Sequence, residues 1–170
     1  MKQTGVTRKI DELGRIVIPK EIRKNLGIRD GETLEIFTSE DSIILKKYFE
    51  VRKYEDLSSK LCELIKNIYN VDLVITDREK VITASNKDIV ENTKLNNKFL
   101  ELIDNRKMFI SKELSTINLG IDISGYFTII PIIASSDSLG LVIIISDNDN
   151  DYSSLGKLLA KIIADKIDIF

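Results

Sequence analysis

An α+β fold in two parts is what this 170-residue sequence predicts, and three observations predict it. Charge is unevenly spread: residues 1–30 hold eight lysines and arginines against four acids, a net of +4, while the whole chain is −2, so residues 31–170 sum to −6. Short alternating runs dominate up to Tyr48, whereas apolar stripes at helical spacing bracket β-prone runs beyond Glu55. Composition is that of a folded chain, 31% charged and 43% hydrophobic, with nothing resembling disorder. Such a chain has a polyanion-facing end and a second body with another task.

The elements follow in order. Thr4–Ile10 alternates in type, Asp11–Gly14 breaks the run and Arg15–Ile18 resumes it, which reads as a hairpin around a four-residue loop. With Ile10 opposite Arg15, Arg8 and Arg15 become diagonal neighbours on one face, and Lys9, Ile16 and Ile18 take the other. Pro19 supplies the preset φ of a first helical position, Lys20–Leu26 makes a short helix, and Gly27 ends it in the left-handed conformation. On that helix Ile22 and Leu26 are the expected buried pair, while Lys20, Arg23 and Lys24 share the opposite face. Arg29–Gly31 turns the chain into a second hairpin, Thr33–Phe37 and Ile43–Tyr48, joined through Ser39–Ser42.

The N-terminal unit is thus ββαββ. Two arginines on a hairpin and three cations on the next helix then point the same way, and Lys2 adds to the same basic end. That is a phosphate-gripping arrangement, in which arginine also suits guanine edges. Residues 1–50 contain neither cysteine nor histidine, so no disulfide or zinc site supplements so small a core. Dimerisation is the remaining remedy, and two-fold symmetry would double the contacts to duplex DNA.

Several function classes are excluded or disfavoured. A chain with no histidine has no Ser-His-Asp triad, no imidazole acid–base chemistry and none of the usual zinc sets. No phosphate-binding glycine fingerprint occurs, so the expectation is a protein that is not an enzyme and carries no cofactor or metal. Cys62 is the single cysteine and lies among Leu61, Leu64 and Ile65, which suits packing better than redox chemistry. No run reaches the ~18 apolar residues of a membrane span, and the N-terminus lacks a signal-peptide apolar core. A cytoplasmic protein with no membrane partner is expected.

Beyond Tyr48 the connection, placed at residues 51–55, has no proline or glycine and reads as a short linker. Residues 56–170 form the second domain. Leu57, Leu61, Leu64, Ile65 and Ile68 make a helical stripe; Val71–Ile75 and Val81–Ser85 are strands around Asp77–Lys80. Residues 86–105 are polar and helical or loop-like, with Leu95, Phe99, Leu102 and Ile103 on the buried side. Tyr126–Ala134 and Leu139–Ser146 are strongly β-prone, and Tyr152–Phe170 carries Leu155, Leu158, Leu159, Ile162, Ile163 and Ile167. This order predicts a sandwich with both end helices on one sheet face. Two stripes exceed what one small sandwich needs to cover, so a helical interface between copies is expected, with Ile163 on it.

The run Gly5–Ile28, with Gly31–Ile36 and Ile43–Tyr48, resembles the AbrB-type swapped-hairpin DNA-binding domain continuously over residues 2–48. That resemblance implies an intertwined dimeric barrel of two chains that contacts double-stranded DNA, with Arg8, Arg15 and Arg23 at the family's contact positions. Lys24 stands where an arginine is also common; it keeps the charge but gives up bidentate geometry. Lys2, Lys9 and Lys20 complete the candidate interface.

Ile130-Pro131-Ile132 and Leu139–Ile144 resemble the closing strands of a GAF domain, with Ser136-Asp137 where a turn glycine is usual. The whole chain is similar to sporulation regulators that join these two domains. The resemblance implies an activator or repressor of forespore genes, assembled as a homotetramer through helices of the GAF-like domain. It also implies a ligand pocket near Ser85–Asp88 and Gly120–Ser124, although a site filled by isoleucines is the favoured alternative and no residue names an effector. A different class, an antitoxin of the same swapped-hairpin superfamily, would end in a tail that folds only on a partner; the strands and stripes here argue against such a tail. A GAF-fold thiol reductase would need more than Cys62.

Overall fold

The structure, a computed structural model, describes residues 4–168. Contacts divide the chain after Tyr48 into two units. In the first, α1 (Lys20–Leu26) precedes an antiparallel hairpin of β1 (Leu34–Ser39) and β2 (Ser42–Lys47). Its register places Ile36 opposite Leu45 and Ser39 opposite Ser42, so the turn is the pair Glu40-Asp41. Gly27 caps α1 at φ 64°, and the Ile28 amide reaches back to the Arg23 carbonyl at 2.8 Å. That six-residue closure needs a left-handed residue, which glycine adopts without a Cβ penalty. Pro19 stands one place earlier than expected, as the N-cap, its carbonyl accepting from the Arg23 amide at 3.0 Å.

The first hairpin corrects the sequence expectation. Its turn forms at Asp11–Gly14, but neither arm is a strand, so this chain presents the second half of ββαββ and not the first. A lone two-stranded ribbon is marginal in water, and here the arms bury no aliphatic side chain, Ile18 being half-buried and the others exposed. Val6, Ile10, Leu13, Ile16 and Val17 are all exposed. Leu26, expected to be buried with Ile22, is also exposed, and α1 has no buried residue.

The second unit begins earlier than expected. In place of a linker at 51–55, Glu50–Tyr54 is a 3₁₀ helix whose Val51 is fully buried in the core beneath it. Arg52 anchors the same helix: its Nε donates to Asp77 Oδ2 at 2.5 Å, and Asp77 is itself fully buried. The other Asp77 oxygen accepts from the amides of Glu79 and Lys80, both at 2.6 Å, so every acceptor of this buried acid is engaged.

Then come α2 (Glu55–Tyr69), β3 (Asp72–Thr76), β4 (Val81–Ala84), α3 (Asn97–Asp104), β5 (Phe109–Ile110), β6 (Ser115–Asn118), β7 (Asp122–Ala134), β8 (Asp137–Ser146) and α4 (Ser153–Asp168). The antiparallel sheet runs β4-β3-β8-β7-β5, with β6 on the first half of the long β7. Pairing of β3 with β8 brings the two ends of the unit together, Leu73 facing Ile144. Where a turn glycine was missed, Ser135 and Ser136 both adopt positive φ, the two-residue loop that matches strand twist. Arg106 Nη2 donates to the Ser136 carbonyl at 2.5 Å, holding this loop from outside.

The sheet carries two cores. As predicted, α2 and α4 share one face, packing Cys62, Ile65, Leu159 and Ile163 on Leu73, Ile130 and Ile144. The other face packs α3 and the irregular segments, through Ile89, Phe99, Ile103, Leu119 and Phe127. Ile89 and Leu119 directly flank the two stretches expected to border a pocket, Ser85–Asp88 and Gly120–Ser124, and both send apolar side chains into this core. Ser85 and Asn86 are occupied as well, donating to the Asp72 carboxylate at 3.1 and 3.4 Å.

The helical stripes split instead of burying whole. On α2 the buried, sheet-facing residues are Ser58, Cys62 and Ile65, while Leu64 and Ile68 face outward. On α4, Leu158 is 56% exposed whereas Ile163, expected at an interface, is 0% exposed. Ile163 is therefore core.

Candidate nucleic-acid interface

Two exposed turns organise the basic residues. At the first, Asp11 Oδ1 accepts from the amides of Leu13 (3.0 Å) and Arg15 (2.8 Å), an Asx-type turn that needs a short acid at this position. The main chain closes the same loop, Asp11 N to Arg15 O at 3.1 Å and Gly14 N to Asp11 O at 2.9 Å. Asp11 Oδ2 then takes Arg15 Nε at 2.7 Å. The Arg15 amide, first, and its guanidinium, second, hold the Asp11 carboxyl below the usual carboxylate range.

At the second, Arg23 on α1 pairs with Asp30 just beyond the helix cap. Helix geometry sets Lys20, Arg23 and Lys24 on one face, since residues three and four apart are neighbours. Lys20 and Lys24 are exposed and Arg23 is half-buried. Arg8 and Lys9 are exposed on the first arm, Arg8 donating from Nη1 to the Thr7 carbonyl at 2.9 Å. Lys2 lies outside the described residues. The structure thus brings Arg15 to Asp11 and Arg23 to Asp30, but forms no ladder that fixes Arg8 beside Arg15.

Asp11 and Asp30 are the ion-pair partners of Arg15 and Arg23, and sequence reasoning passed over both. For Asp11 a signal existed, an acid four residues before an arginine across an Asp-x-x-Gly loop. For Asp30 none did, because its pairing depends on how Gly27 redirects the chain.

Comparison with known proteins agrees with this division. The family described as "Stage V sporulation protein T C-terminal, transcription factor" matches residues 53–167. Residues 7–52 match "Antidote-toxin recognition MazE, bacterial antitoxin". Stage V sporulation protein T of Bacillus subtilis (strain 168) is 36% identical over 153 residues, covering 86% of this chain and 85% of the relative. The transition state regulatory protein AbrB of the same organism is 58% identical over 48 residues, 28% of this chain and 50% of AbrB. The solved N-domain of the transcription factor AbrB is likewise 58% identical and covers 28% of this chain and 92% of that one, with a TM-score of 0.27. Neither matching family description is of an enzyme. This chain belongs to the stage V sporulation protein T family, with an N-terminal domain of the MazE/AbrB type joined to the C-terminal domain that defines the family.

Proposed function

We propose that this protein is a DNA-binding transcription regulator of sporulation, acting in the forespore. Two copies of residues 1–50 interleave into one swapped-hairpin barrel that presents Arg8, Arg15, Arg23 and Lys24, flanked by Lys2, Lys9 and Lys20, to duplex DNA. The observation that carries the reading is the absence of any buried residue among residues 4–48, in the same segment that holds the basic excess. A unit with so many aliphatic groups in water gains its core from a second chain, and doubling then sets two copies of each cation against one duplex. The second unit, GAF-like in its sheet and flanking helices, joins dimers into a tetramer through the outward residues of α2 and α4, or reads an effector.

The test is a salt titration. Neutralising six to eight phosphates predicts a slope of log K against log salt of roughly −5 to −7. Arg15→Ala should weaken binding by about 1–3 kcal/mol where Arg15 reads a base. A slope near zero overturns the proposal. The MazE-type match at residues 7–52 supports a second reading, an antitoxin, in which residues beyond 52 would be protease-sensitive until a toxin binds. Limited proteolysis separates the two, because a regulator of the proposed kind leaves residues 53–167 as a resistant fragment.

A further inference from the structure

We propose that Asp11 is the positioning residue for Arg15 in DNA recognition; this rests on Arg15 being a DNA contact, as proposed above. Asp11 holds Arg15 at three points: its amide at 2.8 Å, its carbonyl at 3.1 Å and its side-chain Nε at 2.7 Å. The same carboxylate fixes Leu13 and so shapes the tip of the turn. Arginine has five N–H donors, and the bond to Asp11 uses the one at Nε. The four Nη protons remain for a phosphate or for the O6 and N7 edge of guanine.

An exposed ion pair four residues apart contributes little to stability, so stability is a poor reason for this arrangement. Its effect lies in order. A free arginine loses rotamer freedom when it binds DNA; one already tethered at Nε has lost much of it beforehand. Fixing the plane of the guanidinium also fixes the direction of its bidentate fork, which matters for a base edge and hardly at all for diffuse attraction to phosphate. Asp11 therefore sharpens sequence discrimination while, as a negative charge, it slightly opposes binding to any DNA. Arg23 differs: its pair with Asp30 uses one of the two Nη1 protons, part of the fork itself, and that proton reaches DNA only when the pair opens.

The experiment uses the full chain and two probes: a duplex recovered from a random library by selection with the unmodified protein, and a scrambled duplex of the same composition. Asp11→Asn keeps an oxygen for the Leu13 and Arg15 amides but removes the anionic partner of Nε. It should lower affinity for the selected duplex about three- to tenfold, the scale of one freed side chain, while scrambled binding stays equal or tightens. In an Arg15→Ala background, Asp11→Asn should leave discrimination unchanged. NMR of Arg15 should show the Nε–H gaining mobility in Asp11→Asn while the Leu13 and Arg15 amides keep their shifts. Equal tightening on both duplexes would make Asp11 a mere repeller and overturn the proposal, as would a loss of discrimination that persists without Arg15. A neutral Arg15→Ala would overturn the DNA-contact reading itself, and that result is distinct from either failure of Asp11.

Discussion

Val17 and Ile163 are both aliphatic side chains, yet Val17 is 72% exposed and Ile163 is 0% exposed, and each typifies its unit. Residues 49–168 bury apolar side chains on both faces of one sheet, and even the acid Asp77 is fully buried with its acceptors filled. Residues 4–48 have a helix capped at its C-terminus, a two-stranded hairpin and a closed turn, each held by local hydrogen bonds, and no core. Local structure and burial are thus separable. Hydrogen-bonded turns and caps need only neighbours in sequence, whereas burial needs enough surface to enclose, which this short unit lacks by itself.

The sharpest way to test that contrast is to place charge on α4. Ile163→Glu, in the core, should cost about 4 kcal/mol or more and melt the second unit, as seen by circular dichroism. Leu158→Glu, on the outer side of the same helix, should leave the fold within about 0.5 kcal/mol of the unmodified protein. If α2 and α4 join dimers, Leu158→Glu will also halve the mass in sedimentation equilibrium. An unmodified protein that sediments as a dimer would show that the outward residues serve no assembly.

Next in size is the ion pair between half-exposed Arg52 and buried Asp77. Asp77→Ala strips Arg52 of its partner and orphans the amides of Glu79 and Lys80, which predicts a loss of about 3 kcal/mol in denaturant unfolding of the second unit. A change below about 0.5 kcal/mol would mean that the 3₁₀ helix is not held through this acid.

For the first unit the expectation reverses. Val17→Ser would be near-neutral if Val17 stayed in solvent, but should cost about 1–2 kcal/mol per chain if a second copy covers it. The loss should then depend on protein concentration, because only the associated form has buried the side chain. Melting temperatures that do not move with concentration would break the comparison, leaving two units that differ only in size.

Cys62 supplies the gentlest probe, a reporter already inside the second core. Burial pushes its thiol up to about 12 from 9.0, so at neutral pH it should resist maleimide until the second unit opens. The sign for stability follows: above pH 9.0 the unfolded chain releases this proton while the folded chain retains it, so stability should decline toward alkaline pH. Rapid labelling of the native protein at pH 7 would show that this part of the core is open.

Much was legible because it is local. The Asp11–Gly14 turn, α1 with its Gly27 cap, and β1 with β2 follow from residue type and spacing, while the two end helices on one sheet face follow from the order of elements. The illegible parts share a different cause. Periodicity marks Leu64, Ile68 and Leu158 as apolar but cannot say which edge of a stripe meets the sheet; on α2 that edge is the one carrying Ser58, Cys62 and Ile65. The segment at 51–55 looked like a linker because nothing in sequence announces that Arg52 finds Asp77 twenty-five residues on.

Sequence alone therefore determined where the charge lies, which segments turn or coil, and which family the N-terminal residues resemble. Each of these depends on groups within a few residues of one another. Tertiary structure decided the rest: which half of each stripe is core, that the linker belongs to the second unit, and that neither arm of the first hairpin forms a strand within one chain. Those outcomes are settled by surface removed from water and by partners distant in the chain, quantities that exist only once the elements have packed.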